Sequence, residues 1–378
     1  MRANMAIRSL RLVTGLVLMA FVASHLANLS IGLVSLSAME NALATLMAPW
    51  QTPLGRVLLA GSALVHAALG LYAMAMRRTL AMAKTDYVQL ALGILTPPLL
   101  LSHVLSTAVA GELASGYEVG YGFLLAVYWS LAPSYALQQL LVVLFVWVHA
   151  ALGLYSWLVL KPVWRRIGGF VLPILFAVPI VALLGFAEAG KEVLERLASD
   201  PAWRESVLEN SARVGPVRAR IDALRSNLLA VYGGLVLLAL AVFAGRILRD
   251  RLTRVRVEYD AGLAASGRRG LSILELSRLG GVLHADVCSG RGRCGTCRVH
   301  VTGGAGSLSP RNTIEDKTLA RVHADAGDRL ACQARVLGPG VTVVRALPPY
   351  ADASAARQPA DWTDAAPETA TPAAEPAA

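Results

Sequence analysis

Four cysteines are the whole thiol complement of this 378-residue chain. Cys288, Cys294 and Cys297 share the segment CSGRGRCGTC, and Cys332 follows far downstream within LACQ. Five residues separate the first two, two the next two, and thirty-four the last two. Thiolates are strongly donating ligands, and four of them complete a [2Fe–2S] cluster with two on each iron. A structural zinc site uses two short paired knuckles instead, so zinc fits the ligand type but not the spacing. Gly290, Gly292 and Gly295 interleave the ligands, as required where backbone wraps closely and turns N–H groups toward sulfur. The same glycines spell GxGxxG, but no strand–turn–helix context flanks them, so a dinucleotide site is excluded.

The second set of residues with chemistry is four histidines, His25, His66, His103 and His149. Each stands alone in a long apolar run. One imidazole in hydrocarbon is often a satisfied polar contact, but four on successive runs ask for a ligand role. Proton relay is the alternative, and it finds no Asp or Glu within these spans to continue the path. An internal repeat sharpens the reading. Residues 65–72 and 148–155 both read VHAALGLY, and Ser24-His25 is echoed by Ser102-His103. A duplicated helix pair with an approximate two-fold axis along the membrane normal sets His66 opposite His149 and His25 opposite His103. Distances in sequence agree: His66 lies eleven residues before Arg77, and His149 twelve before Lys161, both about 16–18 Å from that edge. Two facing imidazoles are the axial ligands of a six-coordinate haem b. The expected cofactors are thus two haems b and one [2Fe–2S] cluster. Gly70 and Gly153, four residues after their histidines, are expected to clear room for the porphyrin.

These residues must be positioned by two kinds of structure. The composition is 55% hydrophobic with a mean hydropathy of +0.54, far above what a soluble domain explains. The excess lies before residue 250, in six runs at about 12–36, 56–76, 87–110, 135–160, 168–188 and 228–247, each of the length that spans a bilayer. The first is read as a retained helix rather than a signal peptide, since it is long and carries His25. Net charge is +10, but the basic residues gather at the ends of the runs, which is membrane topology and excludes a nucleic-acid face. Arg2, Arg8, Arg11, Arg77, Arg78, Lys84, Lys161, Arg165, Arg166 and the Arg246–Arg256 group share one side, opposite Glu40, Glu112 and Glu118. The positive side is expected to be cytoplasmic, with both termini on it, in a bacterial inner membrane. Disulfides are unexpected in that reducing compartment.

After the spans, residues 251–349 read as a small α+β domain of β-grasp order. Strands are predicted at 254–259, 298–301, 334–336 and 341–346, and helices at 272–278 and 314–323. The loop at about 189–227 is expected as amphipathic helices over the outer end of the bundle. The tail at 350–378 is Ala/Pro-rich and disordered by composition. The fold class is therefore mainly α: a six-helix transmembrane bundle in 1–250, then the β-grasp domain.

Residues 253–347 resemble adrenodoxin-like ferredoxins, including the LACQ around the fourth ligand. The spans resemble the di-haem cytochrome b anchors of succinate dehydrogenase and fumarate reductase, in helix number and histidine placement. The full arrangement over 1–348 resembles the membrane-anchored N-terminal region of bacterial class III adenylate cyclases. The cyclase domain of that family has no counterpart here, so cyclase activity does not carry over and no catalytic residues are assigned.

These resemblances imply a membrane electron carrier between bilayer haems, linked to a quinone, and a cytoplasmic cluster. The alternative is a redox-sensing regulatory subunit acting on a separate signalling partner such as a cyclase. Membrane lipid, quinone, a cytoplasmic redox partner and a second copy of the chain are the compatible partners; nucleic acid is not. His284, His300 and His323 are expected at the surface, and Arg291 and Arg293 as a docking face or charge balance for the cluster.

Overall fold

The computed structural model describes residues 2–161, 163–249, 253–352 and 355. The expected disordered tail lies outside the described residues from 356 onward, as does the linker at 250–252. Contacts divide the chain into two units, Met1–Trp157 with Gly169–Arg254, and Leu158–Gly168 with Val255–Ala378.

The first unit is helical throughout. Its α-helices of six residues or more are α1 (Arg2–Ser30), α2 (Leu36–Leu46), α3 (Pro53–Ala75), α4 (Lys84–Val104), α5 (Tyr121–Ala126), α6 (Pro133–Leu158), α7 (Trp164–Ser199), α8 (Pro201–Ala212) and α9 (Arg218–Arg249). Six of these, α1, α3, α4, α6, α7 and α9, carry the length and apolarity to cross a bilayer, which marks a multi-pass membrane protein. Only helices and closed barrels satisfy every backbone group in lipid, so long apolar runs fold this way.

Prolines inside the spans show the same rule locally. Pro97 and Pro98 interrupt α4, and Pro173 and Pro179 interrupt α7. A helical proline has no N–H for the carbonyl four residues earlier. The carbonyl facing Pro98 belongs to Ile94, and it accepts the Tyr232 hydroxyl of α9 at 2.8 Å. The carbonyl facing Pro179 belongs to Leu175, and it accepts the Trp147 indole N–H of α6 at 2.6 Å. Neighbouring helices therefore fill both gaps. Where α1 meets α7, Gly185 lets the backbones touch: a Cβ on it would stand 2.2 Å from the Leu29 carbonyl oxygen.

Helix ends differ from the hydropathy reading. α7 runs on to Ser199 and α9 starts at Arg218, so 189–227 is the end of one span, α8, and the start of another. Hydropathy stops where charge begins, but backbone hydrogen bonding continues while one face stays buried, as at Ala189 and Val193. Asp200 then caps α8 by accepting from Trp203 N–H at 3.0 Å. The third span is longer than expected as well, reaching from Lys84 to Leu113, so Asp86 and Glu112 belong to its ends. A π-helical turn, Leu105–Val109, begins two residues after His103 in it. Neither α2 nor α5 was legible beforehand; α5 extends through a second π turn, Val127–Leu131.

The second unit holds β1 (Arg254–Tyr259), β2 (Ala264–Arg268), α10 (Ile273–Leu279), β3 (Arg298–Gly303), α11 (Thr313–Arg321), β4 (Asp328–Leu330) and β5 (Val341–Arg345). The sheet order is β2-β1-β5-β3-β4, with β1 parallel to β5 and β3 antiparallel to both β4 and β5. β1 alternates exposed and buried residues, and Val257, Val299, Val341 and Val343 form a core with Ile273, Leu274 and Leu276 of α10. Ser272 and Glu275 close a capping box at the start of α10. The strand expected at 334–336 is not one. Residues there make only single bridges, Ser272 with Arg335 and Leu308 with Val336, and the third short strand is instead β4.

Candidate functional site

The loop from α10 to β3 carries three of the cysteines, and its shape depends on left-handed backbone. Gly290, Gly292 and Gly295 have φ of +80°, +70° and +74°, with Ser289 at +52°. At two of them space forbids a side chain as well. A Cβ on Gly292 would lie 2.8 Å from Ile314 Cγ2, and one on Gly295 2.8 Å from Val322 Cγ1. The Thr318 hydroxyl of α11 donates to the Gly292 carbonyl at 2.6 Å and pins the loop from beneath.

The thiols gather two by two. Cys288 and Cys294 lie 3.3 Å apart sulfur to sulfur, and Cys297 and Cys332 also 3.3 Å. All four are buried, and none forms a disulfide. Two pairs suit two irons, whereas one zinc would need all four thiolates around a single point. Arg293 N–H donates to Cys288 Sγ at 3.4 Å, the Gln333 amide to Cys332 Sγ at 3.4 Å, and the Thr296 hydroxyl lies 3.0 Å from Cys294 Sγ. The Cys288 thiol is held down to about 5, chiefly by its hydrogen bond with Cys294 and, against burial, by backbone N–H groups of Arg293, Cys294 and Arg291. Cys294 and Cys297 are pushed up, each first by the hydrogen-bonded thiol of its pair and then by burial. Each close pair of sulfurs thus favours sharing one proton over double ionisation, until a metal takes the proton's place.

Residues 261–337 match the family of 2Fe-2S iron-sulfur cluster binding domains. The C-terminal unit is a [2Fe–2S] ferredoxin domain, fused to a membrane-type helical region. Among similar proteins, Chlorosome protein I of Chlorobaculum tepidum is 34% identical over 84 residues, 22% of this chain and 34% of that protein. The chain thus aligns to about a third of that relative's length. Among solved structures, the ISC-like [2Fe-2S] ferredoxin of Pseudomonas putida JCM 20004 is 27% identical over 26% of this chain and 94% of that one, with a TM-score of 0.23.

Several supports of the ferredoxin loop were not legible beforehand. Glu315 is fully buried on α11, accepts two bonds from Arg329 at 2.8 and 3.0 Å, and accepts Leu330 N–H at 2.9 Å. It thereby fixes the end of β4, two residues before Cys332. The signal was an acidic residue three after the helix cap Asn312, a position that usually reaches back to the cap. His284, expected at the surface, is largely buried beside the Ser277 hydroxyl, 3.4 Å away, and burial lowers its pKa to about 4. His300 is half-exposed and lies 3.1 Å from Asp328.

In the helical unit the four histidines form two facing pairs. The ring centres of His66 and His149 lie 6.2 Å apart, and those of His25 and His103 6.1 Å apart. Two imidazoles on opposite sides of one metal need centres about 6 Å apart, from two bonds of about 2 Å and roughly 1 Å of ring at each end. Both pairs fit that spacing. The pair on the Arg77 side is also held alike on its two halves. His66 Nδ1 lies 3.2 Å from the Arg11 carbonyl oxygen, and His149 Nδ1 2.9 Å from that of Gln89. A Cβ on Gly15 would stand 3.0 Å from His66 Cε1, and one on Gly93 2.8 Å from His149 Cε1. A backbone carbonyl can only accept, so each Nδ1 carries the proton and each Nε2 keeps a lone pair.

Gly15 and Gly93 make room for the imidazoles themselves, a different role from the one expected of Gly70 and Gly153 toward a porphyrin. A Cβ on Gly70 would meet nothing within 4 Å, and one on Gly153 would meet Gln89 Nε2 at 3.1 Å. At the other end His25 stacks on Phe21 and Tyr121, with ring centres 5.9 and 6.5 Å away.

Proposed function

We propose that this chain is a membrane electron-transfer protein. In this reading His66 and His149 hold one haem b, His25 and His103 hold a second, and both exchange electrons with the [2Fe–2S] cluster of the ferredoxin domain. The observation that carries the haem reading is the matched pair of Nδ1–carbonyl contacts, from Arg11 to His66 and from Gln89 to His149. This is how a metal-binding imidazole is oriented and made more basic. Among the described residues no group of three or more His, Cys, Asp or Glu gathers around these rings. A haem b at each site would be held by its two histidines alone.

A haem b so held supplies one-electron exchange of its iron between ferric and ferrous states. The chain supplies the rest. The helices keep the imidazoles neutral and facing, Gly15 and Gly93 let the rings lie flush against neighbouring backbone, and lipid excludes water. The basic residues at the Arg77 end favour the cytoplasmic side for that end and for the ferredoxin domain. Optical and EPR redox titration of the purified protein tests the reading. It is expected to resolve two low-spin haems and one [2Fe–2S] signal, and absence of haem would refute it.

A further inference from the structure

Helix α11 clamps the cluster loop along one side through three contacts that follow the same order in both segments. The Thr318 hydroxyl donates to the Gly292 carbonyl at 2.6 Å, and Arg321 donates to the Arg293 carbonyl. Val322 then closes against Gly295, where a Cβ would stand 2.8 Å from its Cγ1. The first and last contacts need only shape and a neutral donor. The middle one brings a full positive charge to the loop, on a side chain that is partly buried. A cation in the last turn of a helix ordinarily serves that helix's own carbonyls. Arg321 ends α11, yet it directs an N–H to the carbonyl of another segment.

The peptide it meets is the one between Arg293 and Cys294. The carbonyl of that peptide accepts from Arg321, and its N–H, that of Cys294, turns to Cys288 Sγ. Arg293 N–H donates to the same sulfur at 3.4 Å. Hydrogen bonds joined through one peptide polarise each other, so an amide whose oxygen binds a cation is a stronger donor. Arg321 thus acts on the Cys288 side of the site in two ways, through the bonded peptide and through its charge. Burial lowers the Arg321 pKa, and the negative charge of Cys294 and Cys288 opposes that shift. A guanidinium stays protonated in either case. Cys288 and Cys294 are each 2% exposed, so water screens less of the field that reaches them.

We infer that Arg321 sets the reduction potential of the cluster, holding it above the value that the four cysteines alone would give. The inference rests on the [2Fe–2S] site and is independent of the haem reading. Reduction adds one electron and no proton, so the cluster gains one negative charge. A fixed cation and a strengthened N–H bond to sulfur both stabilise that more negative state, and these are the terms that tune such clusters. Arg321 ligates nothing itself. Its charge makes the cluster a better acceptor of an electron and a weaker donor.

The test is an anaerobic redox titration of the cluster in the full-length protein, followed by EPR. Arg321→Gln keeps an N–H donor without the charge and should weaken the cluster's affinity for the electron about tenfold or more, a fall of about 59 mV for each factor of ten. Arg321→Lys keeps the charge and should stay within about threefold of the wild type. Lys317→Gln removes an exposed cation from the same helix and should also stay within about threefold, because solvent screens that charge. Denaturant midpoints followed by cluster bleaching are measured on the same variants. A purely structural Arg321 would lower those midpoints and leave the potential where it was. An unchanged potential in Arg321→Gln with the cluster intact, or an equal fall in Lys317→Gln, overturns the inference. If Arg321→Gln assembles no cluster, Arg321→Lys decides: a potential within the stated range supports the inference, and a larger fall refutes it. A haem count of zero would refute the haem reading and leave this result standing.

Discussion

Gly93 of α4 lies directly against His149 of α6: a Cβ there would stand 2.8 Å from the imidazole Cε1. The same relationship links Gly15 of α1 to His66 of α3, at 3.0 Å. The carbonyls that meet the two Nδ1 atoms belong to residues one turn before those glycines, Gln89 and Arg11. One backbone turn thus both makes room for an imidazole and fixes its tautomer.

Gly93→Val is therefore expected to displace His149 and lose the haem that His149→Ala loses. Overpacking of this kind costs about 1–3 kcal/mol, which a six-span bundle tolerates, so the variant should insert and keep its cluster. Haem stoichiometry against iron–sulfur absorbance checks this.

For the cluster, Cys288→Ser and Cys332→Ser remove one thiolate from each pair and should each abolish the [2Fe–2S] EPR signal. Haem absorbance should persist, because the two kinds of site share no ligand. Recovery of zinc in place of iron from protein made in iron-replete medium would contradict the assignment.

Glu315 and Arg329 form a buried pair, with side chains 0% and 11% exposed. Glu315→Ala strands Arg329 and is expected to destabilise the ferredoxin domain by about 3–5 kcal/mol. Replacing both residues by methionine should recover much of that loss. Denaturant midpoints followed by cluster bleaching measure both outcomes.

Burial lowers the His284 pKa from its ordinary value of 6.5 to about 4. The unfolded chain therefore binds this proton more readily than the folded one. Stability is fully present above pH 6.5 and is lost as pH falls from there toward 4, by a few kcal/mol at most. The urea midpoint of the ferredoxin domain should drop between pH 7 and 5, and less so in His284→Asn, which has no such titration.

What the sequence made legible was what depends on residue type. Thiols are recognisable as ligands one by one, and the six spans stand out because lipid demands uniform apolarity. Span ends were missed where a helix continues on a single buried face, as α7 does past Glu188 to Ser199. The apolar residues at 334–336 looked like a strand, yet the neighbouring sheet edge is formed by Asp328–Leu330, which carries only one apolar residue. Glycines 15 and 93 lay hidden because a glycine announces no partner. The repeat that relates His25 to His103 is a shift of 78 residues, and the same shift relates Gly15 to Gly93 and Arg11 to Gln89. Extended fourteen residues toward the N-terminus, it would have paired them.

The central claim is that histidines of different repeat halves share one haem. Optical and EPR spectra of the four single variants His25→Ala, His66→Ala, His103→Ala and His149→Ala test it most directly. His66→Ala and His149→Ala should lose, or turn high-spin, the same haem, and His25→Ala and His103→Ala the other, with the cluster signal intact in all four. If His25→Ala and His66→Ala instead share one spectrum, distinct from that of His103→Ala and His149→Ala, each haem belongs to one repeat half and the account is wrong.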